Sequence, residues 1–510
     1  MQSKRAEQGL SGQGPRRSRR GRRGFLGMMG GTGAALVAAA CGGSNNKSNG
    51  AATTVATRAA ATTAATAAGT SAAAATAAGT AAAARTTPTA PVKVSTVTYF
   101  GIDIAPEETA WHKKFNDDFA AAFPQYRAED SEYASGTDFY PKLQTAIATN
   151  SAPDFIFRDT GGVNLVTLWD QGLLAPVNDV MDDVYKSIGG KDKFSVGAVD
   201  RFTYPSGDVI GVPITVSPYA MWFRQDLLQE AGLTPPAGHW DWNFLLKAVK
   251  AVHKPPSVYG IGIPMGRSTA ALLYGLGTSI LGNGGHFVSA DLKDVLFDSP
   301  EVRDAVDLMK ELSQYTPPGA TTWINSDQIN AIVQGNVAMG VYLGRVFQNL
   351  VNMNPALIGK LSNTLVPYNK DPRGWGGYGA HGLFKSSKTP QGAKELMKFS
   401  LRKEQYISYL LVGPGGSNPA IPSYGADPSY IGSPILKAFD PKMLATMAEG
   451  ENSLGDFVKE GPGWKTNGKA GTLLGSLFYA DVLQKVVIGK ESTQSAVTFG
   501  AQQIRDIMKG

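Results

Sequence analysis

Apolar and polar positions are distributed very differently on the two sides of residue 92. Residues 41–91 are almost entirely Ala, Thr, Gly, Ser and Asn and contain no aromatic side chain, whereas aromatic and large aliphatic residues recur from Val92 onward. Because the first stretch has nothing with which to build a core, it is predicted to be a disordered tether with a coil-like reach of about 40 Å. The remaining chain, about 420 residues, exceeds one comfortable core, so two lobes are expected.

Within residues 92–510 the apolar pattern alternates between strand-like and helix-like stretches. Short β-branched or apolar runs predict strands at 92–100, 155–157 and 209–213. Aromatic residues at a spacing of four predict a helix that Pro124 ends, and these residues are Trp111, Phe115, Phe119 and Phe123. Ser299-Pro300 and Thr389-Pro390 predict two further helix starts, because a capping side chain precedes a proline that needs no N–H partner. Strands that alternate with helices indicate an α/β fold with mostly parallel sheets.

The first 41 residues have the layout of an export signal. A basic start with Arg22-Arg23 leads into residues 25–40, an uncharged run of 16 residues, and small residues then lead directly into Cys41. The run is shorter than the roughly 20 residues that a membrane-spanning helix needs. Arg-Arg-Gly-Phe-Leu resembles a twin-arginine export signal and Ala-Ala-Ala-Cys resembles a bacterial lipobox, which implies acylation of Cys41. A basic leader for the general export route and an ordinary cysteine in a cleaved signal remain the alternatives.

The formal net charge of +6 belongs to this leader rather than to the body. Residues 1–40 hold eight Lys or Arg residues against the single acid Glu7, so the chain after residue 40 is close to −1. The basic balance is therefore no argument for nucleic-acid binding, and no nucleic-acid partner is predicted. Cys41 is the only cysteine, which excludes a disulfide within one chain.

Several segments of the body, each weak alone, occur in an order typical of one protein family. They are Phe123-Pro124, Lys142–Asp154, Gln171–Val177, Gly211–Pro213, Met221–Asp241, Gln334–Met339 and Gly489–Ala496. In this order they resemble the extracellular solute-binding proteins of ABC importers, the group that includes maltose-binding and other sugar-binding proteins. One departure is Arg224, where the pattern usually has Asn.

The resemblance implies a periplasmic-binding-protein-like fold with two α/β lobes, a hinge and a ligand cleft between the lobes. Carried onto this chain, lobe one is residues 92–212 plus 368–437, and lobe two is residues 213–367 plus 438–510. It also implies a monomer that captures an extracellular solute, above all a mono- or oligosaccharide, and delivers it to ABC permease subunits in the membrane. With lipid on Cys41, the body would stand outside the cytoplasmic membrane, in an extracellular or periplasmic position.

Candidate ligand contacts are residues at strand ends and loops that would face this cleft, where open α/β sheets bind their ligands. Sugars present apolar C–H faces and hydroxyl rims, which aromatic rings and fixed polar groups complement. The candidates are Asp103, Arg158, Asp159, Ser217, Tyr219, Arg345, Trp375, Gly377, Tyr378 and Trp464.

Structural roles compete with these ligand roles. Asp103 and Asp159 equally fit helix caps, and Arg345 equally fits an ion pair between the lobes. Trp375 and Trp464 stand among glycines, which favours exposure, but a place in the core fits them as well. Core positions are predicted for three further tryptophans: Trp169, Trp222 and Trp240.

The sequence carries no motif that favours an enzyme. G-x-S-x-G, H-E-x-x-H and a phosphate-binding loop are absent, and the five histidines are scattered, so neither a cofactor nor a metal is predicted. Gly374, Gly376 and Gly379 match G-x-G-x-x-G, but the turn before them and the strand predicted at 381–384 argue against a dinucleotide site. The open alternatives are a binder of peptide, polyol or ferric iron, the last requiring several converging tyrosines, and a secreted carbohydrate-active enzyme with two carboxylates.

Overall fold

The computed structural model of the protein describes residues 93–510 with three short gaps, at 103–105, 134–135 and 160–162. All of the described residues belong to one compact unit. Several predictions therefore lie outside the described residues: those for Arg22, Arg23, Cys41, Asp103 and the tether.

The strands form two sheets. They are β1 (Ser95–Ile102), β2 (Tyr126–Tyr133), β3 (Phe155–Asp159), β4 (Leu174–Ala175), β5 (Val212–Pro218), β6 (Ala220–Arg224), β7 (Met339–Tyr342), β8 (Leu361–Leu365), β9 (Gly374–Phe384), β10 (Asn418–Pro419) and β11 (Leu454–Gly455). The larger sheet has the order β10-β5-β9-β3-β1-β2, and both β4 and β11 also pair with β9. The smaller sheet has the order β7-β6-β8. The predicted α/β class is confirmed.

The expectation of mostly parallel sheets is wrong. β1 pairs in parallel with β2 and β3, and β11 pairs in parallel with β9. The other strand pairs of the described residues are antiparallel, including both pairs of the smaller sheet. The reason is that β5 leaves the larger sheet for the smaller one and β9 returns from it, so these two neighbours run in opposite directions.

Tyr219 is the single residue between the two sheets at the first crossing. β5 ends at Pro218 in the larger sheet, and β6 begins at Ala220 in the smaller sheet. Residues 213–218, which the family resemblance places in lobe two, therefore pair within the larger sheet. The chain returns between β8 and β9, and residues 450–455 lead into the larger sheet again, where β11 joins β9.

Helices cover the sheets and the connections between them. They are α1 (Pro106–Ala122), α2 (Gly136–Ala148), α3 (Val163–Asp170), α4 (Asn178–Ile188), α5 (Gln225–Glu230), α6 (Trp242–Val252), α7 (Gly277–Gly282), α8 (Pro300–Leu312), α9 (Asn325–Gln334), α10 (Val346–Met353), α11 (Pro390–Ser400), α12 (Lys403–Leu410), α13 (Pro422–Gly425), α14 (Pro428–Ile431), α15 (Pro434–Lys437), α16 (Pro441–Glu449), α17 (Ala470–Ser476), α18 (Phe478–Val487) and α19 (Thr493–Lys509). A π-helical turn at Leu272–Leu276 leads into α7. In the part of the chain that the structure describes, none of the helices is both long enough and apolar enough to cross a bilayer.

Several local predictions are confirmed. The Ser299 hydroxyl accepts the Val302 N–H at 3.3 Å and caps α8 as expected. The α11 helix also begins after Thr389, but the Thr389 hydroxyl donates to the Thr96 carbonyl at 2.8 Å instead of capping the helix. Two of the predicted core tryptophans are fully buried, Trp222 and Trp240, and the third, Trp169, is partly buried.

Candidate functional site

Polar and aromatic side chains gather where the chain crosses between the sheets. The Tyr219 ring lies edge-on to the Tyr274 ring at 5.2 Å, and Tyr274 stacks on Tyr342 at 4.4 Å between ring centroids. Two residues before Tyr219, the hydroxyl oxygen of Ser217 is 2.9 Å from that of Ser417. Together with the neighbouring Arg345 these residues are named the junction cluster: Ser217, Tyr219, Tyr274, Tyr342, Arg345 and Ser417.

Burial raises the pKa of Tyr219, Tyr274 and Tyr342 above the ordinary value of a phenol. Their hydroxyls are therefore neutral at physiological pH and can both donate and accept hydrogen bonds. The three tyrosines converge, as the iron-binding alternative requires, but burial opposes the phenolate that would bind ferric iron. No group of three or more His, Cys, Asp or Glu side chains is placed to hold a metal ion among the residues that the structure describes.

Arg345 approaches the junction cluster from the loop between β7 and α10. Its positive charge opposes the rise in the pKa of Tyr274 and Tyr342 that burial causes. The Arg345 side chain is partly buried, and no acidic side chain in the described ranges forms an ion pair with it. Arg345 therefore has no acidic partner within those ranges for the alternative role, an ion pair between the lobes.

Asp159 caps α3. Its buried carboxylate accepts the N–H groups of Asn164 at 3.0 Å and Leu165 at 3.2 Å, so the capping alternative accounts for these contacts. The preceding residue, Arg158, has a left-handed φ of 88°, and its guanidinium lies 3.6 Å from the carboxylate of Glu108. Both predicted contacts are thus engaged with other residues at the end of β3.

Trp375 and Tyr378 are buried within β9. The Trp375 side chain is 2% exposed, and its ring meets those of Phe457 at 5.1 Å and Phe287 at 5.7 Å edge to face. The Tyr378 hydroxyl donates to the carbonyl of Val196 at 3.1 Å, and burial raises the pKa of this phenol. These contacts give both rings a structural role in holding β9 against its neighbours.

Gly377 and Trp464 are more accessible than these two rings. Gly377 is partly buried and lies directly opposite Ser217 in the register of β5 and β9, so its backbone borders the junction cluster. Trp464 is partly buried, and its ring centroid is 4.7 Å from that of His286. The His286 Nδ1 atom is in turn 3.0 Å from the buried carboxylate of Glu460, whose pKa burial raises. The Trp464 ring therefore packs against His286 on one side, and part of its surface is exposed.

Three residues of the junction cluster are not among those predicted from the sequence: Tyr274, Tyr342 and Ser417. Tyr342 ends a strand three residues before Arg345, and this position at a strand end is a signal that the sequence carries. Tyr274 lies in an apolar stretch, and Ser417 follows the glycine-rich residues 413–416, without a motif in either case. These two residues reach the junction cluster only through the tertiary fold.

Two α/β layers, joined by short crossings with polar and aromatic side chains where they meet, define a two-lobed solute-binding fold. Residues 102–407 match the family described as bacterial extracellular solute-binding protein, and the chain belongs to this family. The family consists of binding proteins, and its match covers most of the larger sheet and all of the smaller one.

Curated relatives are distant. The Escherichia coli (strain K12) protein named "Putative ABC transporter periplasmic-binding protein YcjN" is 20% identical over 303 residues, which are 59% of this chain and 67% of that protein. A "Putative binding protein" of Brucella abortus (strain 2308) is 26% identical over 277 residues, which are 52% of this chain and 62% of that protein. The chain thus spans about two thirds of the length of these relatives.

Solved structures share the fold. An ABC transporter solute-binding protein of Thermotoga lettingae TMO, bound with alpha-D-tagatose, superposes with a TM-score of 0.67 at 20% identity. Maltose-bound T. maritima MalE3 gives a TM-score of 0.65 at 20% identity. Each match covers 81% of this chain and 99% of the other chain, so the two-lobed arrangement extends over nearly all of the described residues.

Proposed function

We propose that this protein is the solute-binding component of an ABC importer that captures a carbohydrate between its lobes and passes it unchanged to a membrane permease. The observation that carries the proposal is the junction cluster, in which neutral phenols, serine hydroxyls and one guanidinium gather at the crossing between the sheets. Aromatic rings match the C–H faces of a sugar, and neutral hydroxyls match its rim. The tagatose and maltose complexes of proteins with this fold support the choice of ligand.

The ligand contacts that we propose are those whose side chain or backbone borders this junction: Ser217, Tyr219, Tyr342, Arg345 and Gly377. Trp464 is proposed as an outer stacking surface, because His286 supports one face of its ring. Asp159, Trp375 and Tyr378 are proposed as supports of the cleft wall, because their polar atoms or ring faces are already engaged within the protein.

The attachment of the protein to the membrane is also a proposal. Export through the twin-arginine route, acylation of Cys41 and the tether of residues 41–91 would place a monomeric binding body outside the cytoplasmic membrane. The motifs in the first 41 residues support this. Metabolic labelling with a tagged fatty acid would test it, since Cys41→Ser should abolish the label and release the protein into the medium or periplasm.

Calorimetric titration of the protein with mono- and oligosaccharides, polyols, peptides and Fe³⁺ tests the main proposal. We expect a saccharide to bind, and chromatography of the titrated sample to recover that saccharide unchanged. Conversion of the sugar to a new product would instead establish a carbohydrate-active enzyme. A response to peptide or Fe³⁺ alone would overturn the carbohydrate assignment.

A further inference from the structure

We infer that the solute is an acidic saccharide, whose anionic group pairs with the guanidinium of Arg345 in the junction cluster. This inference rests on the proposed function and names the chemical class of its ligand. The anionic group is a sugar carboxylate or a sugar phosphate, both of which match the planar fork of N–H donors on a guanidinium.

The first line of support is that most other arginines of the described residues form ion pairs with carboxylates. Six of the nine other arginines in the described residues lie within ion-pair distance of a carboxylate: Arg158 with Glu108, Arg201 with Asp456, Arg224 with Asp226, Arg267 with Asp481, Arg303 with Asp298 and Arg373 with Asp371. Arg345 is partly buried and has no such acid within the described ranges. The other three arginines without an acid differ from it: Arg127 and Arg402 are exposed, and Arg505 donates to the side-chain oxygen of Gln502 at 3.2 Å. A guanidinium that is partly removed from water without a counter-charge is costly, and a bound anion would offset that cost.

The second line of support is the chemistry of the groups around Arg345. Its charge acts on Tyr274 and Tyr342, and burial raises the pKa of both phenols. Because neutral phenols carry no negative charge, they leave the charge of Arg345 uncompensated. The Tyr274 hydroxyl is hydrogen-bonded to Tyr342, and the Tyr342 hydroxyl can in turn donate to the same anionic group, which would strengthen its binding.

The third line of support is the position of Arg345 in the fold. The preceding residue, Gly344, lies so close to the Gly415 carbonyl that a Cβ atom would overlap it, so the loop before α10 is pressed against residues 413–417. That segment ends at Ser417, whose hydroxyl meets Ser217 of β5. Arg345 therefore stands where the smaller sheet's layer meets the larger sheet's layer, and the first turn of α10 adds partly positive N–H groups at the same place.

Matched neutral and acidic sugars test this inference. Calorimetry on the complete exported protein would compare D-glucose with D-glucuronate and D-glucose 6-phosphate, and D-galactose with D-galacturonate. We expect one acidic member to bind at least about tenfold more tightly than its neutral partner, and that preference to weaken as salt is raised. Preference for a uronate identifies the group as a carboxylate, and preference for the phosphate ester identifies it as a phosphate.

Arg345→Met should remove this preference, because it lowers the affinity for the acidic sugar at least about tenfold more than the affinity for its neutral partner when the charge-assisted contact is lost. Arg345→Lys keeps the charge without the planar fork and should retain part of the preference. Arg303→Met, which removes an arginine paired with Asp298, is the matched control and should leave the preference unchanged. Circular dichroism melting of each variant shows that it is folded.

The outcomes separate this inference from the proposed function. Tight binding of neutral sugars without a preference for the acidic partner, or an equal loss for both in Arg345→Met, overturns the acidic-saccharide inference and leaves the carbohydrate importer standing. Failure of all neutral and acidic saccharides to bind overturns both.

Discussion

The hydroxyl of Thr167 donates a hydrogen bond to the carbonyl oxygen of Gly468 at 3.0 Å, although 301 positions separate the two residues. The same hydroxyl oxygen accepts the Gly471 N–H at 3.2 Å, so Thr167 on α3 holds the start of α17. Since α3 follows β3 of the larger sheet and α17 packs against α19, this contact links the two predicted lobes away from their crossings.

Gly468→Ala should loosen this link. A Cβ atom at Gly468 would overlap the carboxylate of Asp170, so either this carboxylate leaves its hydrogen bond with the Tyr204 hydroxyl or α3 and α17 separate. We expect the free energy of the open arrangement of the lobes to fall by about 1.4 kcal/mol relative to the closed one. The affinity for the saccharide should fall about tenfold as a result. Titration calorimetry gives the affinity, and small-angle scattering gives the opening. Gly475→Ala in α17 is the control, because its added methyl group meets open space, and an equal loss in that variant would contradict the explanation.

Asp159→Ala should destabilise the protein. The substitution leaves the N–H groups of Asn164 and Leu165 without their buried acceptor, and we expect the free energy of unfolding to fall by about 2 kcal/mol. Urea denaturation measures this change. Asp182→Ala removes an exposed acid from the side of α4 and should change the stability by less than about 0.5 kcal/mol. A stability of Asp159→Ala equal to the wild type, with loss of ligand binding, would instead identify Asp159 as a ligand contact.

Trp464→Ala and Trp375→Ala should have opposite consequences. Trp464 is partly exposed beside His286, so its removal should weaken saccharide binding about tenfold with little effect on thermal stability. Trp375 is 2% exposed among aromatic rings, so its removal should lower the free energy of unfolding by about 3–5 kcal/mol. Melting curves and titrations of both variants measure the two effects, and a fully stable Trp375→Ala protein would contradict the structural role.

His381 should make the protein acid-sensitive. Burial lowers the pKa of this imidazole from 6.5 to about 3, and the charges of Arg158 and His112 add to the effect. Between pH 6.5 and about 3 the unfolded chain takes up a proton that the folded chain excludes, so stability is lost as the pH falls, by up to about 1.4 kcal/mol per pH unit. His381→Gln, which can still reach the Ser400 hydroxyl, should flatten this dependence. Denaturation at several pH values checks it, and equal slopes in both proteins would refute the assignment.

The sequence predicts helix starts and core positions well where the signal is local. Ser299 before a proline and the aromatic spacing in α1 act through neighbours a few positions away, so the expected elements form. The direction of β9 is different, because it depends on the route of the chain through the smaller sheet, and no short-range pattern records that route. The parallel arrangement expected from alternating strands and helices is therefore limited to a few pairs.

The candidate site shows the same division. Tyr219 and Arg345 are found from the sequence because each stands next to a recognisable strand, whereas Tyr274 and Ser417 join them through long-range packing. Asp159 fits two interpretations in the sequence, since a carboxylate before a helix suits both a cap and a ligand contact. Only the positions of the Asn164 and Leu165 N–H groups distinguish which contacts it makes.

The single-residue crossing at Tyr219 has a mechanical consequence. A long linker would spread a rotation of the lobes over many bonds, but here β5 and β6 are both held in their sheets up to the residues that flank Tyr219. Any change in the angle at this crossing must therefore be taken up largely by the backbone torsions of one residue. The Tyr219 ring then turns with that backbone against Tyr274. The angle between these two rings therefore changes with the opening angle of the lobes.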